Sequence, residues 1–156
     1  MLHEHIDTAL IDDESIPWIP FAPYADAIKL KVFKADPVRG EVIVLMKAPP
    51  DARLPRHHHS GTVVVYTTAG RWKYEEHDWI AGPGSVVFET AASTHTHQMI
   101  SNDCDVLTFN IVTGDLIFMD DDGKVLAIEN WRSMLQRYVA YCEKNCIEPR
   151  DITAFR

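Results

Sequence analysis

The sequence predicts an all-β fold, a sandwich or barrel, closed by one α-helix at its carboxy-terminal end. Two observations predict it. Between about residues 28 and 128, short β-rich runs succeed one another at close spacing, punctuated by Gly70, Gly82-Pro83-Gly84, Gly114 and the turn around Asp120–Gly123, which favours a sandwich or barrel over βαβ units. The one stretch of clear helical period comes last, over Glu129–Asn145.

The elements follow in order. Residues 1–15 are acidic and weakly patterned, an arm expected to dock on the body or on a partner subunit. Pro17–Tyr24 (PWIPFAPY) is dense in proline and aromatics; it cannot be helical and reads as an extended, packed edge segment. Ala27–Lys34 alternates, with Ile28, Leu30 and Val32 against Lys29 and Lys31, and a turn signal follows at Asp36-Pro37 and Gly40. Glu41–Lys47 is a continuous apolar run, expected of a strand buried on both faces. Further strands are expected over Thr62–Thr68, Arg71–Tyr74, Ser85–Thr90, His95–Ile100, Val106–Val112 and Asp115–Met119. In the terminal helix, Trp131, Leu135, Tyr138 and Cys142 form the apolar stripe, Asn130 is placed to cap it, and Pro149 lies beyond its end.

Composition narrows the function classes. The 156 residues suit one domain of ordinary composition. With 15 Lys+Arg against 23 Asp+Glu, the formal charge is −8. That balance argues against nucleic acid, whose phosphates are met by clustered cations, and against an anionic membrane surface. The longest aliphatic stretches, Val42–Met46 and Val63–Val65, are far shorter than the roughly 20 residues of a membrane span. The amino terminus is acidic where a secretory signal would be basic and apolar. Cys104, Cys142 and Cys146 make an odd set with no framework spacing, so no structural disulfide and no zinc site at Cys142/Cys146 is expected. A reduced, cytoplasmic protein is the expectation.

Five of the eight histidines fall in two clusters. In Pro55-Arg56-His57-His58-His59-Ser60-Gly61, the period of an extended chain sends His57 and His59 to one side and His58 to the other. The second cluster, His95-Thr96-His97, supplies a third imidazole. Three neutral imidazoles suit Fe(II), Zn, Cu or Ni, whereas Mg or Ca takes oxygen ligands. Solvated surface is the competing reading of a histidine run, and two clusters on neighbouring strands favour the metal. His3 and His5, in the acidic arm, read as solvated surface, and His77 as a turn residue.

These residues carry a resemblance. His57–Gly70 resembles the first cupin motif: HxH, a position four residues on that is often glutamate, then a glycine ending the hairpin. Gly82–His95 resembles the second, PxG followed by a histidine eleven residues after the glycine. The expected glutamate is Val63 here, which leaves His57, His59 and His95 as the implied metal ligands without a carboxylate. Such a set is similar to that of cupin dioxygenases cleaving carbon–carbon bonds, the acetylacetone dioxygenase type among them. More closely, the chain resembles the 2,4'-dihydroxyacetophenone dioxygenase family through Pro17–Phe21, Asp36–Glu41, Ala48-Pro49-Pro50, Leu54–Gly61, Glu76–Trp79 and Ile128–Trp131.

The resemblance implies a cupin double-stranded β-helix, or jelly roll, spanning residues 1–156 as one domain: an arm over 1–26, a barrel over 27–128 and a helix over 129–146. It implies Fe(II), with Zn or Ni as alternatives in the purified protein. The implied reaction is cleavage of an aryl α-hydroxyketone or a β-diketone by O2, with the small ketone and O2 as partners. An ion keeping its full +2 charge would favour a bound enolate and bind its ligands more weakly. Around it, Glu89 is a candidate acceptor for the second N–H of a ligand histidine or a substrate-positioning group. His97 shares His95's parity, as a pocket residue or substitute ligand; Tyr66, Arg71, Trp72 and Tyr74 are further wall candidates; His58 should face away. Two other readings stand beside the dioxygenase: a non-catalytic zinc-binding cupin of the anti-sigma-factor sensor type, and a cupin isomerase or lyase. A homo-oligomer, dimer or tetramer, is expected, with residues 17–24 at its interface.

Overall fold

A computed structural model of the chain describes residues 9–100 and 103–153; His3 and His5 lie outside the described residues. Twelve strands, a short 3-10 helix (Asp13–Ser15) and one α-helix are seen among them: β1 (Ile19–Phe21), β2 (Ala25–Asp36), β3 (Glu41–Ala48), β4 (His57–His59), β5 (Val63–Ala69), β6 (Trp72–Tyr74), β7 (Val86–Glu89), β8 (Thr94–His95), β9 (His97–Met99), β10 (Val106–Thr113), β11 (Leu116–Met119), β12 (Val125–Glu129) and α1 (Trp131–Lys144).

The strands form a six-stranded sheet in the order β1-β2-β3-β10-β5-β7, a four-stranded sheet β12-β11-β4-β8, and a two-stranded ribbon β6-β9. Every pairing is antiparallel. This is the all-β jelly roll with a carboxy-terminal helix that the sequence predicts. The order is set by pairings between strands distant in the chain, β3 with β10 and β4 with β8 and β11, the β4–β8 pair bringing His95 onto the sheet of His57–His59.

Leu30, Val42, Val44, Met46, Val63 and Val65 of the larger sheet turn inward and are buried. The run Glu41–Lys47 departs from expectation. It alternates strictly between buried and half-buried residues along β3, so one face lines the interior and the other is only partly covered. The run His95–Ile100 also departs: it divides at Thr96 into β8 and β9, which pair with different partners.

The arm and helix close the body. Lys31 Nζ donates to Asp13 through both its carbonyl (2.8 Å) and its carboxylate (2.7 Å), and Arg150 Nη2 donates to the Leu10 carbonyl at 3.1 Å. Residues 17–24 supply β1, the edge of the larger sheet, as their proline content requires. Asn130 caps α1: its side chain accepts from Arg132 and Ser133 N–H, and Ser133 Oγ accepts the Asn130 N–H in return. The helix buries Met134, Tyr138 and Cys142, with Trp131 and Leu135 partly buried against the core. Among the described residues, no helix is long and apolar enough to cross a membrane, and no disulfide joins any of Cys104, Cys142 and Cys146.

Candidate metal centre

Strand pairing assembles the three histidines. In β4 the burial pattern is buried, half-buried, buried, so His57 and His59 face inward as the two-residue period demands. His58 turns away and its Nδ1 meets Thr94 Oγ1 at 2.9 Å. His95 of β8 lies directly opposite His57, and opposed residues of an antiparallel pair share a face. One ligand atom from each of His57, His59 and His95 lies within 4.8 Å of the others, and the three ring centroids are each 5.0 Å apart.

The donor chemistry is fitted to an ion. His57 Nδ1 donates to the Pro55 carbonyl at 2.8 Å, which leaves its Nε2 with a free lone pair. Burial, reinforced by the charge of His59, pushes His57 down to about 3, so its ring is neutral and able to ligate near pH 7. His59 Nε2, His95 Nε2 and Glu89 Oε2 are buried side-chain atoms without a hydrogen-bond partner. Unsatisfied buried polar atoms are rare and costly in native structures, and here several converge on one point. A transition-metal ion would satisfy them together.

Glu89 changes the expected electrostatics. Although Val63 occupies the motif's glutamate position, a carboxylate still reaches the site: Glu89 Oε2 is 3.0 Å from His59 Nε2 and 3.3 Å from His95 Nε2. It comes from β7 in the larger sheet, across the interior from the histidines. Burial works against its charge, but the His59 and His95 rings and the Tyr74 hydroxyl outweigh this and hold the carboxyl well below the usual range. Tyr74 donates its hydroxyl to Glu89 Oε1 and lies flat on His95, ring centroids 3.7 Å apart.

The other candidates are sorted by register. His97, opposite Tyr74 in the β6–β9 ribbon, is buried and lines the cavity. It packs on Trp72 (4.4 Å between centroids) and stands outside the three-histidine group. Trp72 is wholly buried and donates its indole N–H to Thr67 Oγ1 at 2.8 Å. Tyr66 and Arg71 are exposed and are absent from the cavity wall, because β5 turns Tyr66 to its outer face and Arg71 precedes β6. Tyr74 is the cavity residue among the four.

The cavity itself is about 90 Å³, walled by aliphatic side chains of the larger sheet and by His57, His59 and Glu89. Asn110, Glu129, Asn130 and Met134 also line it, and sequence reasoning did not single them out as pocket residues. The available signal was slight: Glu129 is an acid ending the apolar run Val125–Ile128. It is buried, bonded to Arg137 Nη2 at 2.5 Å and to Ser133 Oγ at 2.6 Å. On the outer side, an open depression of about 420 Å³ over β7 also reaches Glu89, Tyr74 and His95.

The family model described as the ChrR cupin-like domain matches residues 7–114. The chain belongs to this cupin family. Among solved structures, it is 50% identical to an RmlC-like cupin protein from Ralstonia eutropha JMP134, over 100% of both chains, with a TM-score of 0.96. It is 20% identical to an acetylacetone dioxygenase from Acinetobacter johnsonii, covering 90% of this chain and 95% of that one at a TM-score of 0.77. The anti-sigma factor ChrR, solved with SigE of Rhodobacter sphaeroides, is 15% identical over 65% of this chain and 50% of that chain, at a TM-score of 0.53. At 20% and 15% identity, these last two likenesses concern the cupin fold. No curated protein matches the chain.

Proposed function

We propose that this cupin is a mononuclear metal oxygenase that cleaves a carbon–carbon bond of a small ketone with O2, Fe(II) being the working ion. The observation that carries the reading is the meeting of His57, His59 and His95 beside an apolar cavity that His57 and His59 line. The similarity of fold to an acetylacetone dioxygenase is consistent with it. Zinc and nickel suit the same donors and are the ions expected as substitutes after purification.

Bound Fe(II) would supply a Lewis-acid centre able to hold two adjacent oxygens of an enolised ketone and to engage O2. The protein's part is to hold three imidazoles convergent, with burial keeping His57 neutral and Pro55 fixing its tautomer. The aliphatic wall excludes water and receives the hydrocarbon part of the substrate. In the overall reaction one atom of O2 enters each product, so an α-hydroxyketone R–CO–CH2OH with O2 gives RCOOH and HCOOH. A cavity of about 90 Å³ is smaller than the roughly 150 Å³ apolar cavity that accepts benzene. A five-carbon β-diketone, with about seven heavy atoms against ten or more in an aryl hydroxyketone, needs the smaller widening of this half-open cavity.

The test is anaerobic reconstitution with Fe(II), followed by O2 uptake with β-diketones and aryl α-hydroxyketones. Turnover, greatest with the short diketones, is the expected result. Stoichiometric iron without O2 uptake across the panel sinks the oxygenase reading. A second reading has the family description in its favour: a zinc-binding sensor cupin of the ChrR type. It predicts tight zinc and no turnover. A cupin isomerase or lyase would keep its activity with zinc and without O2.

A further inference from the structure

The carboxylate missing from position 63 arrives from the neighbouring strand. Val63 and Glu89 are directly opposed in the antiparallel β5–β7 pair. Opposed residues project to the same face with Cβ atoms about 5 Å apart, so a side chain from either position enters the same volume. Both residues are buried and both line the cavity.

The separations around Glu89 are those of neighbouring ligands on one ion. Metal–nitrogen bonds of about 2.1 Å set adjacent donors about 3.0 Å apart at right angles and about 3.4 Å apart at the tetrahedral angle. Oε2 stands 3.0 Å from His59 Nε2 and 3.3 Å from His95 Nε2. Despite this proximity, none of the three atoms has hydrogen-bond geometry with a partner. A simple histidine–glutamate bond would have satisfied two of them. Three histidines on one face of a six-coordinate ion leave three positions, each opposite one histidine. The position adjacent to both His59 and His95 is the one opposite His57, where bonds of about 2.1 Å set the two donors about 4.2 Å apart; Glu89 stands outside the group whose atoms all lie within 4.8 Å of one another, so binding the ion draws its carboxylate toward His57. The other oxygen, Oε1, is engaged by the Tyr74 hydroxyl, which orients the carboxylate and leaves Oε2 free.

We propose that Glu89 is the fourth protein ligand of the metal centre, bound through Oε2, so that the carboxylate has crossed one rung of the sheet from β5 to β7. The proposal rests on the metal-centre reading above and deepens it. The site is then His57, His59, His95 and Glu89, and the bound ion carries a net +1 rather than +2. A six-coordinate ion keeps two adjacent open positions, enough for one chelating ligand.

The test is the crystal structure of the zinc-loaded native chain, together with zinc dissociation constants for native, Glu89→Gln and the rung exchange Val63→Glu/Glu89→Val. The expected structure has zinc on the three histidines with Glu89 Oε2 within about 2.2 Å. Glu89→Gln should bind zinc about 100-fold more weakly, and the rung exchange should recover most of that loss. Zinc on the three histidines with Oε2 beyond about 3 Å, or an unchanged constant in Glu89→Gln, overturns the ligand assignment and leaves the three-histidine centre standing. A folded rung-exchange variant no tighter than Glu89→Gln overturns the equivalence of the two positions. Native protein that takes up no zinc at His57, His59 and His95 overturns the metal centre itself, and the fourth ligand with it.

Discussion

Tyr74 lies parallel to the His95 ring, with centroids 3.7 Å apart and planes within 10°, while its hydroxyl donates to Glu89 Oε1. One side chain therefore restrains two groups of the site from two directions. Both burial and the neighbouring Glu89 charge raise the Tyr74 hydroxyl well above its ordinary value, so it remains a donor throughout the physiological range. Tyr74→Phe keeps the stack and removes the donor. Zinc affinity should fall about 10-fold, the usual scale for losing an outer hydrogen bond at a metal site, with the fold intact by circular dichroism. An unchanged affinity would show that the hydroxyl does not orient the carboxylate.

Metal removal should expose the cost of the converging donors. An ion binding only the folded state stabilises it by about 2.7 kcal/mol at a free concentration of 100 Kd. Chelated protein should therefore melt several degrees lower than protein with zinc, reversibly, and His57→Ala should abolish the difference. A melting temperature insensitive to zinc and chelator counts against a structural role for the ion.

Acid should destabilise the metal-free protein from near neutrality. His57 and His97 are each pushed down to about 3, chiefly by burial, against an ordinary value of 6.5 in the unfolded chain. Their folded values are depressed, so as pH falls through 6.5 the unfolded state takes up protons first. Stability is fully present above 6.5 and is lost between there and 3, at about 1.4 kcal/mol per pH unit for each histidine. Glu89, also depressed, adds to the loss only below the ordinary carboxylate range. Urea midpoints of chelated protein should drop steadily from pH 7 to 5; a flat profile would falsify the assignment of neutral buried imidazoles.

Gly61 closes the turn after the histidine strand against a neighbouring backbone. A Cβ there would stand 2.2 Å from the Thr113 carbonyl oxygen, and backbone cannot yield as a flexible side chain can. Gly61→Ala should cost about 3 kcal/mol, the upper end for overpacking. It should also weaken zinc binding by displacing β4. Chemical denaturation and metal titration of the same variant check both.

Asn130 couples the helix to the barrel. Its side chain caps α1 and donates to Asp115 Oδ1 at 3.0 Å. Asn130→Ala should cost about 1 kcal/mol through the lost cap, while Asn130→Asp keeps the cap and sets its charge beside Asp115. Denaturant midpoints should rank native above both variants.

The sequence by itself determined what repeats locally. The two-residue period of an extended chain put His57 and His59 on one side and His58 on the other, the turn residues marked an all-β body, and Asn130 announced the helix start. Family motifs added His95. What the sequence left open depends on partners distant along the chain. His95 and His97 share parity, yet the strand breaks at Thr96: His95 pairs with His57, and His97 with Tyr74. The motif places valine where a carboxylate was expected, yet β7 sets Glu89 opposite Val63. Periodicity is a property of one strand, whereas register is fixed by turns and by which faces of two strands are buried together. The sequence offered Glu89 as a neighbour of the ligand histidines; the tertiary register alone decided that its Oε2 stands against the Nε2 atoms of His59 and His95.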